Sequence, residues 1–249
     1  MSISNNEIKR IKSLRMKKFR DQLNLFTVEG EKLVAEALDS DFIVEATYYK
    51  DDIGEEAMTK ISQLTTPPPA LAVVKKPQNL NLENSQLSKV LASKGLFLAL
   101  DSIRDPGNLG TILRISDWFG IDRVFASPDT VDLFNSKTVQ ATMGAIFRVK
   151  FHYCDLGELC EQVKSKEGRI YGSFLEGNIL YKEDLAIGDT NPVLIIIGNE
   201  SRGISKELEL KVTDKLYIPP YPIDNPGSES LNAAIATAII LAEFSSRFL

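Results

Sequence analysis

From the amino terminus, apolar residues first recur at helical spacing. Ile11, Leu14 and Phe19 share one face of a helix that Asn5 or Asn6 would cap. Residues 21–24 read as a turn, and a short extended run at 25–28 ends at Glu29-Gly30. Leu33, Val34, Ala37 and Leu38 then mark a second helix. Residues 42–47 predict a strand and 55–63 a helix with Ala57, Met58 and Ile61 inward. Residues 71–74 give a strand after the break at Pro67-Pro68-Pro69. Polar, irregular sequence around Pro77 places a linker at 77–94, between a unit at 1–76 and a larger one at 95–249.

The larger unit opens on an apolar run at 96–100, the pattern of a strand covered on both faces. A helix at 109–119 carries Ile112, Leu113, Ile115 and Trp118 and stops at Gly120. Strands at 121–126, 147–151, 170–174, 193–197 and 215–218 alternate with helices at 136–143, 156–164 and 206–210. A last helix, rich in Ala and Ile, fills 231–244. Such alternation predicts an α/β fold with a parallel sheet and helices on both faces.

Two of these strands end abruptly at turn residues and polar groups. Ile197 leads into Gly198-Asn199-Glu200-Ser201-Arg202-Gly203, and Ile218 into Pro219-Pro220; Ser230-Leu231-Asn232 precede the last helix. Gly and Asn are ordinary turn residues, so one such end means little. Several together fit a ligand crevice at the carboxyl ends of strands. It is not an ordinary nucleotide site. Pro106-Gly107-Asn108-Leu109-Gly110 lacks the G-x-G-x-x-G spacing, and no phosphate loop of the GxxxxGK type exists.

Composition narrows the class. With 43% hydrophobic and 25% charged residues the chain reads as a soluble globular protein. The run from Val193 to Ile197 is too short to cross a bilayer, and no signal-peptide core is present, so a cytoplasmic protein is expected. Cys154 and Cys160, with His152 the sole histidine, suit a reducing compartment and give no metal site. Net charge is −5, yet Lys9, Arg10, Lys12, Arg15, Lys17, Lys18 and Arg20 crowd the first helix region against Glu7 alone. That stripe is either a phosphate-binding surface or a solvated face.

The larger unit resembles the SpoU-type RNA ribose 2′-O-methyltransferases of the SPOUT superfamily. Three blocks carry the likeness: 101–120 with Asn108, Gly110 and Arg114; 197–203; and Ile218-Pro219-Pro220 with Ser230-Leu231-Asn232. The segment 137–148, with Thr142, Gly144 and Arg148, is also similar. The resemblance implies an α/β-knot fold: a SPOUT domain with a parallel sheet and a deep trefoil knot, acting as a homodimer. Residues 1–76 resemble the small α/β, ribosomal-protein-like RNA-binding domain that precedes it in relatives, through Arg20, Phe26, Val28-Glu29-Gly30 and 71–74.

The cofactor implied is S-adenosylmethionine. The likeness puts Thr142, Gly144, Ile197, Gly198, Asn199, Gly203, Ile218, Pro219, Leu231 and Asn232 around it. It puts Asn108, Arg114, Glu200, Ser230 and Asn232 at the reacting centre. Arg114 would activate the ribose hydroxyl or clamp its developing charge; alternatively it is a helix charge paired with Asp117 or Asp101. Asn108 would cap its helix or position Arg114, and Glu200 would order loops, hold a ribose hydroxyl or pair with Arg202. Departures are slight: Pro220 replaces a common methionine, Ala233-Ala234 a common Val-Ser, and Thr142 a frequent serine. Ribosomal RNA is the expected substrate, ahead of transfer RNA or of a non-catalytic RNA-binding role.

Overall fold

Ser4, rather than Asn5 or Asn6, starts the first helix, α1 (Asn5–Ser13); its hydroxyl accepts the Glu7 N–H at 3.2 Å. The computed structural model describes residues 3–78, 80–91, 94–121, 123–186, 190–222 and 229–247. The chain turns after α1, and α2 (Lys17–Leu23) follows as a separate helix ended by Asn24 in the left-handed conformation. Next come β1 (Leu25–Glu29), α3 (Glu31–Leu38), β2 (Val44–Tyr49), α4 (Lys50–Ile53), α5 (Glu55–Ile61) and β3 (Ala70–Lys75). The strands form a three-stranded antiparallel sheet in the order β1-β3-β2.

The expected linker is partly structured. It contains α6 (Asn84–Val90), in which Leu87 is completely buried, as is Leu91 at its end. Each such leucine removed from water is worth roughly 1.5–3 kcal/mol, which fixes α6 to the larger unit.

That unit runs β4 (Gly95–Leu100), α7 (Pro106–Trp118), β5 (Arg123–Ala126), α8 (Ser136–Thr142), β6 (Lys150–Tyr153), α9 (Leu156–Lys164), β7 (Arg169–Phe174), β8 (Asn178–Ile179), β9 (Pro192–Ile197), α10 (Lys206–Glu209), β10 (Asp214–Tyr217) and α11 (Ala233–Ser246). All pairings in its seven-stranded sheet, ordered β6-β5-β4-β9-β7-β10-β8, are parallel. The edge strand β6 is covered by the segment before α6. Tyr153 N–H donates to Leu80 O at 2.8 Å, and Leu82 N–H to Tyr153 O at 2.9 Å.

One apolar core runs through both units, joining Phe26, Val28 and Ala37 to Leu109, Leu113, Phe134 and Val139. Phe26 packs on Phe134 with ring centroids 4.6 Å apart, and Phe42 meets Phe147 edge-on at 5.1 Å. The opposite face of the sheet is covered by α6 and α9 through a second core around Leu87, Leu159 and Cys160. Both cysteines are free and buried, and burial pushes their thiols up to about 12, so they are inert core residues. Among the described residues no helix is long and apolar enough to cross a membrane.

Candidate active site

The strand order decides where the polar loops meet. β4 and β9 are neighbours in register, with Leu100 opposite Ile197. Their carboxyl ends therefore release 101–105 and 198–203 side by side. β7 lies on the other side of β9, and β10 beyond it, with Tyr217 opposite Phe174. The ends of β4, β9, β7 and β10 thus form one continuous rim.

Hydrogen bonds lock the β4 and β9 loops together. Asn199 donates from Nδ2 to Ser102 O at 2.7 Å, and its Oδ1 accepts the Ser201 and Arg202 N–H groups at 3.0 and 3.1 Å. Asn199 and Gly203 also exchange backbone bonds at 2.9 Å. The buried Asp101 accepts the Ser205 N–H at 2.7 Å. Gly198 has no room for a side chain, since a Cβ there would stand 2.2 Å from the Gly203 carbonyl carbon. A cavity of about 510 Å³ opens here, walled by Ser102, Arg104, Asp129, Glu200 and Arg202.

Asp105, not Asn108, caps α7. Its Oδ1 accepts the Asn108 N–H at 2.7 Å, and Pro106 takes the first helical position. The Asn108 side chain is therefore available elsewhere, and it donates to Glu200 Oε1 at 2.9 Å. The same carboxylate accepts the N–H groups of Arg104 and Asp105, each at 3.3 Å. Burial pulls the Glu200 acid upward, but the Asn108 amide and the backbone donors outweigh it and hold the group below its ordinary value. Asn232 completes the chain: Nδ2 donates to Asn108 Oδ1 at 2.8 Å, while its Oδ1 caps α11 at Ala234 and Ile235. Glu200, Asn108 and Asn232 come from three separate blocks of the sequence and meet in one line.

Arg114 stands apart from this line. It is exposed on α7, about 9 Å farther along the axis than Asn108 and about 120° around it. Among the described residues it makes no hydrogen bond or ion pair. Neither expected partner is available: Asp117 is taken by Arg148, and Asp101 faces Ser205. The guanidinium is free to meet a ligand. Ser230 and Leu231 are exposed ahead of α11, and Ile218 and Pro219 are half-buried after β10.

Three expectations need correction. Thr142 is fully buried with its hydroxyl on Val139 O at 2.7 Å, so its side chain cannot touch a cofactor. Gly144 lies in the crossover from β5 to β6, on the far side of β4 from β9, and the Glu36 carboxylate of α3 fills the space beside it. Both support α7 and α3 rather than line the rim. Arg20 is only 4% exposed and pairs with Asp132 at 2.5 Å, so it is a structural contact between the units and not an RNA ligand. Of the remaining basic residues, Arg10 is paired with Glu7 and Glu45 and Lys17 with Asp21, whereas Lys9, Lys12 and Lys18 are exposed and unpaired among the described residues. Arg15 donates to the carbonyls of Lys60 and Ser62.

The structure also adds a segment. The loop after β7, with Leu175 68% exposed, sits between the β9 and β10 ends. An apolar residue before the Glu176-Gly177 turn is a faint signal in sequence; only the strand order gives it a place.

Comparison with known proteins agrees with this geometry. Residues 95–242 match the SpoU rRNA Methylase family, and residues 5–76 match an MRM3-like substrate binding domain. The chain belongs to the SpoU rRNA methylase family. A 23S rRNA (guanosine(2553)-2'-O)-methyltransferase of Bacillus subtilis is 32% identical, with 96% of each chain covered. A solved TrmH-family structure from Porphyromonas gingivalis has a TM-score of 0.86 at 35% identity, covering 99% of this chain and 100% of that one. An AdoMet-bound rRNA methyltransferase from Sinorhizobium meliloti gives 0.86 at 27% identity, covering 100% and 97%.

Proposed function

We propose that the chain transfers a methyl group from S-adenosylmethionine to a ribose 2′-hydroxyl of ribosomal RNA. The observation that carries this reading is the Glu200–Asn108–Asn232 line, which fastens together the β9 loop, the start of α7 and the start of α11. The residues present suit the cofactor. Gly198 lets the β9 loop fold back against Gly203, and Leu175, Ile218 and Leu231 offer apolar surface along the rim for an adenine. Bound there, S-adenosylmethionine supplies an activated methyl on a cationic sulfur.

The chain's own task is to orient the hydroxyl and stabilise the charge it develops. A guanidinium stays protonated in proteins, so Arg114 acts as a clamp on phosphate or alkoxide rather than as the base. With the cofactor bound, Arg114 would steady the oxygen that accepts the methyl, and the hydroxyl proton would leave to solvent. Asn108, Glu200 and Asn232 hold the loops around that centre, with Ser230 beside them. Lys9, Lys12, Arg15 and Lys18 bring the RNA in through its phosphates.

The same reading includes a cytosolic homodimer and a deep C-terminal knot. Overall likeness to the TrmH-family and rRNA methyltransferase structures supports the knot. The dimer is supported by Trp118 and Ile235, 84% and 51% exposed on the packed helices α7 and α11. Mapping 2′-O-methyl positions in total RNA, with and without the protein, tests the function. The guanosine named for the Bacillus subtilis relative is the first position to check. A site that vanishes from ribosomal RNA supports the reading; loss confined to transfer RNA, or no loss with no S-adenosylmethionine binding, would sink it.

A further inference from the structure

We propose that the cleft between the three-stranded unit and α8 holds a single-stranded stretch of the RNA beside the nucleotide to be methylated. This rests on the reading of RNA as substrate, but it names a site outside the catalytic rim. The cleft has a volume of about 790 Å³, in the range of true ligand sites.

Its two walls come from different units. Arg15, Gln63 and Leu64 form one, and Lys137 and Gln140 of α8 form the other. Arg15 is held at the wall by its bonds to the Lys60 and Ser62 carbonyls, which leaves further guanidinium donors facing outward. Lys137 is exposed and has no partner among the described residues. The only acid on the lining is Glu29, and it is turned inward. It is 4% exposed and is satisfied by the Ser62 hydroxyl at 2.5 Å and the Gln63 N–H at 3.0 Å. The cleft therefore presents two cations on facing walls with carboxamides between them. That arrangement tracks a phosphate backbone and leaves Gln140 to meet an unstacked base edge, while Gln63 donates from Nε2 to Thr27 Oγ1 at 3.1 Å and keeps its carbonyl oxygen and one N–H for a second.

Its position fits. Across α8, Gly110 of α7 lies so close to Ala141 that an added Cβ would come within 2.5 Å of the Ala141 Cβ. RNA in the cleft is thus one helix diameter, ~10 Å, from the helix that carries Asn108 and Arg114.

The test is binding of a fluorescent oligouridine single strand, and of a duplex of equal length, to the full chain. The Lys137→Glu, Gln140→Ala double variant is expected to bind the single strand about fivefold or more weakly, with a salt slope shallower by about 0.7 for the lost phosphate contact. S-adenosylmethionine affinity and the melting temperature should not move. Lys164→Glu, on α9 across the sheet, should bind as the unaltered chain does. Single-strand affinity unchanged in the double variant would overturn the proposal, as would a preference for duplex. Variants that weaken binding while the unaltered protein methylates no RNA would leave the cleft standing and sink the functional reading instead.

Discussion

Asn232 donates its side-chain N–H to Asn108 Oδ1 at 2.8 Å, across 124 residues of sequence. The direction of this bond is forced. Glu200 as a carboxylate only accepts, so Asn108 must turn its NH₂ toward it and its carbonyl toward Asn232. Asn232 must then donate to Asn108 and accept from the first turn of α11. One orientation satisfies every member.

Asn232→Asp separates the two jobs of this residue. The carboxylate still caps α11 and suits the positive end of the helix, so the cap's own contribution to stability should be kept. It cannot donate to Asn108, and two acceptor oxygens then face each other at a cost of about 1–3 kcal/mol. Methyl transfer should fall roughly tenfold or more, since ~1.4 kcal/mol is a factor of ten. Asn232→Ala should lose the cap too, about 1 kcal/mol of stability by urea titration. Full activity in the Asp variant would refute the directed chain.

Arg20→Ala should unfold more easily while Lys18→Ala should not. The Arg20–Asp132 pair is 5% and 10% exposed, and the guanidinium also satisfies the Leu14 and Arg15 carbonyls. Removing it leaves a buried carboxylate without its partner, a loss of about 3–5 kcal/mol. Exposed Lys18 should change stability by no more than about 0.5 kcal/mol and act on RNA binding alone. Equal stability of the two variants in urea would show that Arg20 does not tie the units together.

These residues also show what could be read from the chain beforehand. Strand ends such as Ile197-Gly198-Asn199 were legible because an apolar run stops at turn residues, and Asn232 because its type and place mark a helix cap. Arg20 was not. A basic stretch looks the same whether a guanidinium points to water or to an aspartate 112 residues away. Leu87 and Leu91 carry helical spacing, but the polar sequence around them hid α6. The loop after β7 and the displacement of Thr142 and Gly144 from the rim follow from strand order, which is a matter of pairing and leaves no local pattern. The shared core, with Phe26 on Phe134, is likewise a contact between segments that each read as complete.

Glu200 sets an acid limit on the site. Its acid lies below the ordinary value of 4.5, because the Asn108 and backbone donors favour the carboxylate over the upward pull of burial. A depressed acid contributes its stabilisation fully above the ordinary value and loses it as pH falls through the lowered one. The stability that Glu200 contributes should therefore be flat through neutral pH and fall only below 4.5. Glu200→Gln should be less stable at neutral pH and lack that acid-dependent loss. Urea titration of both forms across this range checks it; the same acid loss in both would place its origin in another group.

The apolar face of α11 gives the last prediction. From Ala233 to Ala242 the helix carries no polar residue but the buried Thr237, yet Ile235 is 51% exposed and Ala242, two turns on, is also exposed. Trp118 of the adjoining α7 is 84% exposed. Large apolar side chains exposed on two packed helices suit a surface that a second copy of the chain would cover. In a twofold dimer each substitution acts twice, because the same patch serves both subunits. Ile235→Lys with Trp118→Lys should therefore sediment with the mass of a single chain where the unaltered protein sediments as two. The single chain should keep its circular dichroism, since neither side chain is part of the core. Because Arg114 lies one helical turn from Trp118, methyl transfer should fall with the dimer. An unaltered protein that already sediments as one chain would exclude the dimer and leave the apolar face to a different partner.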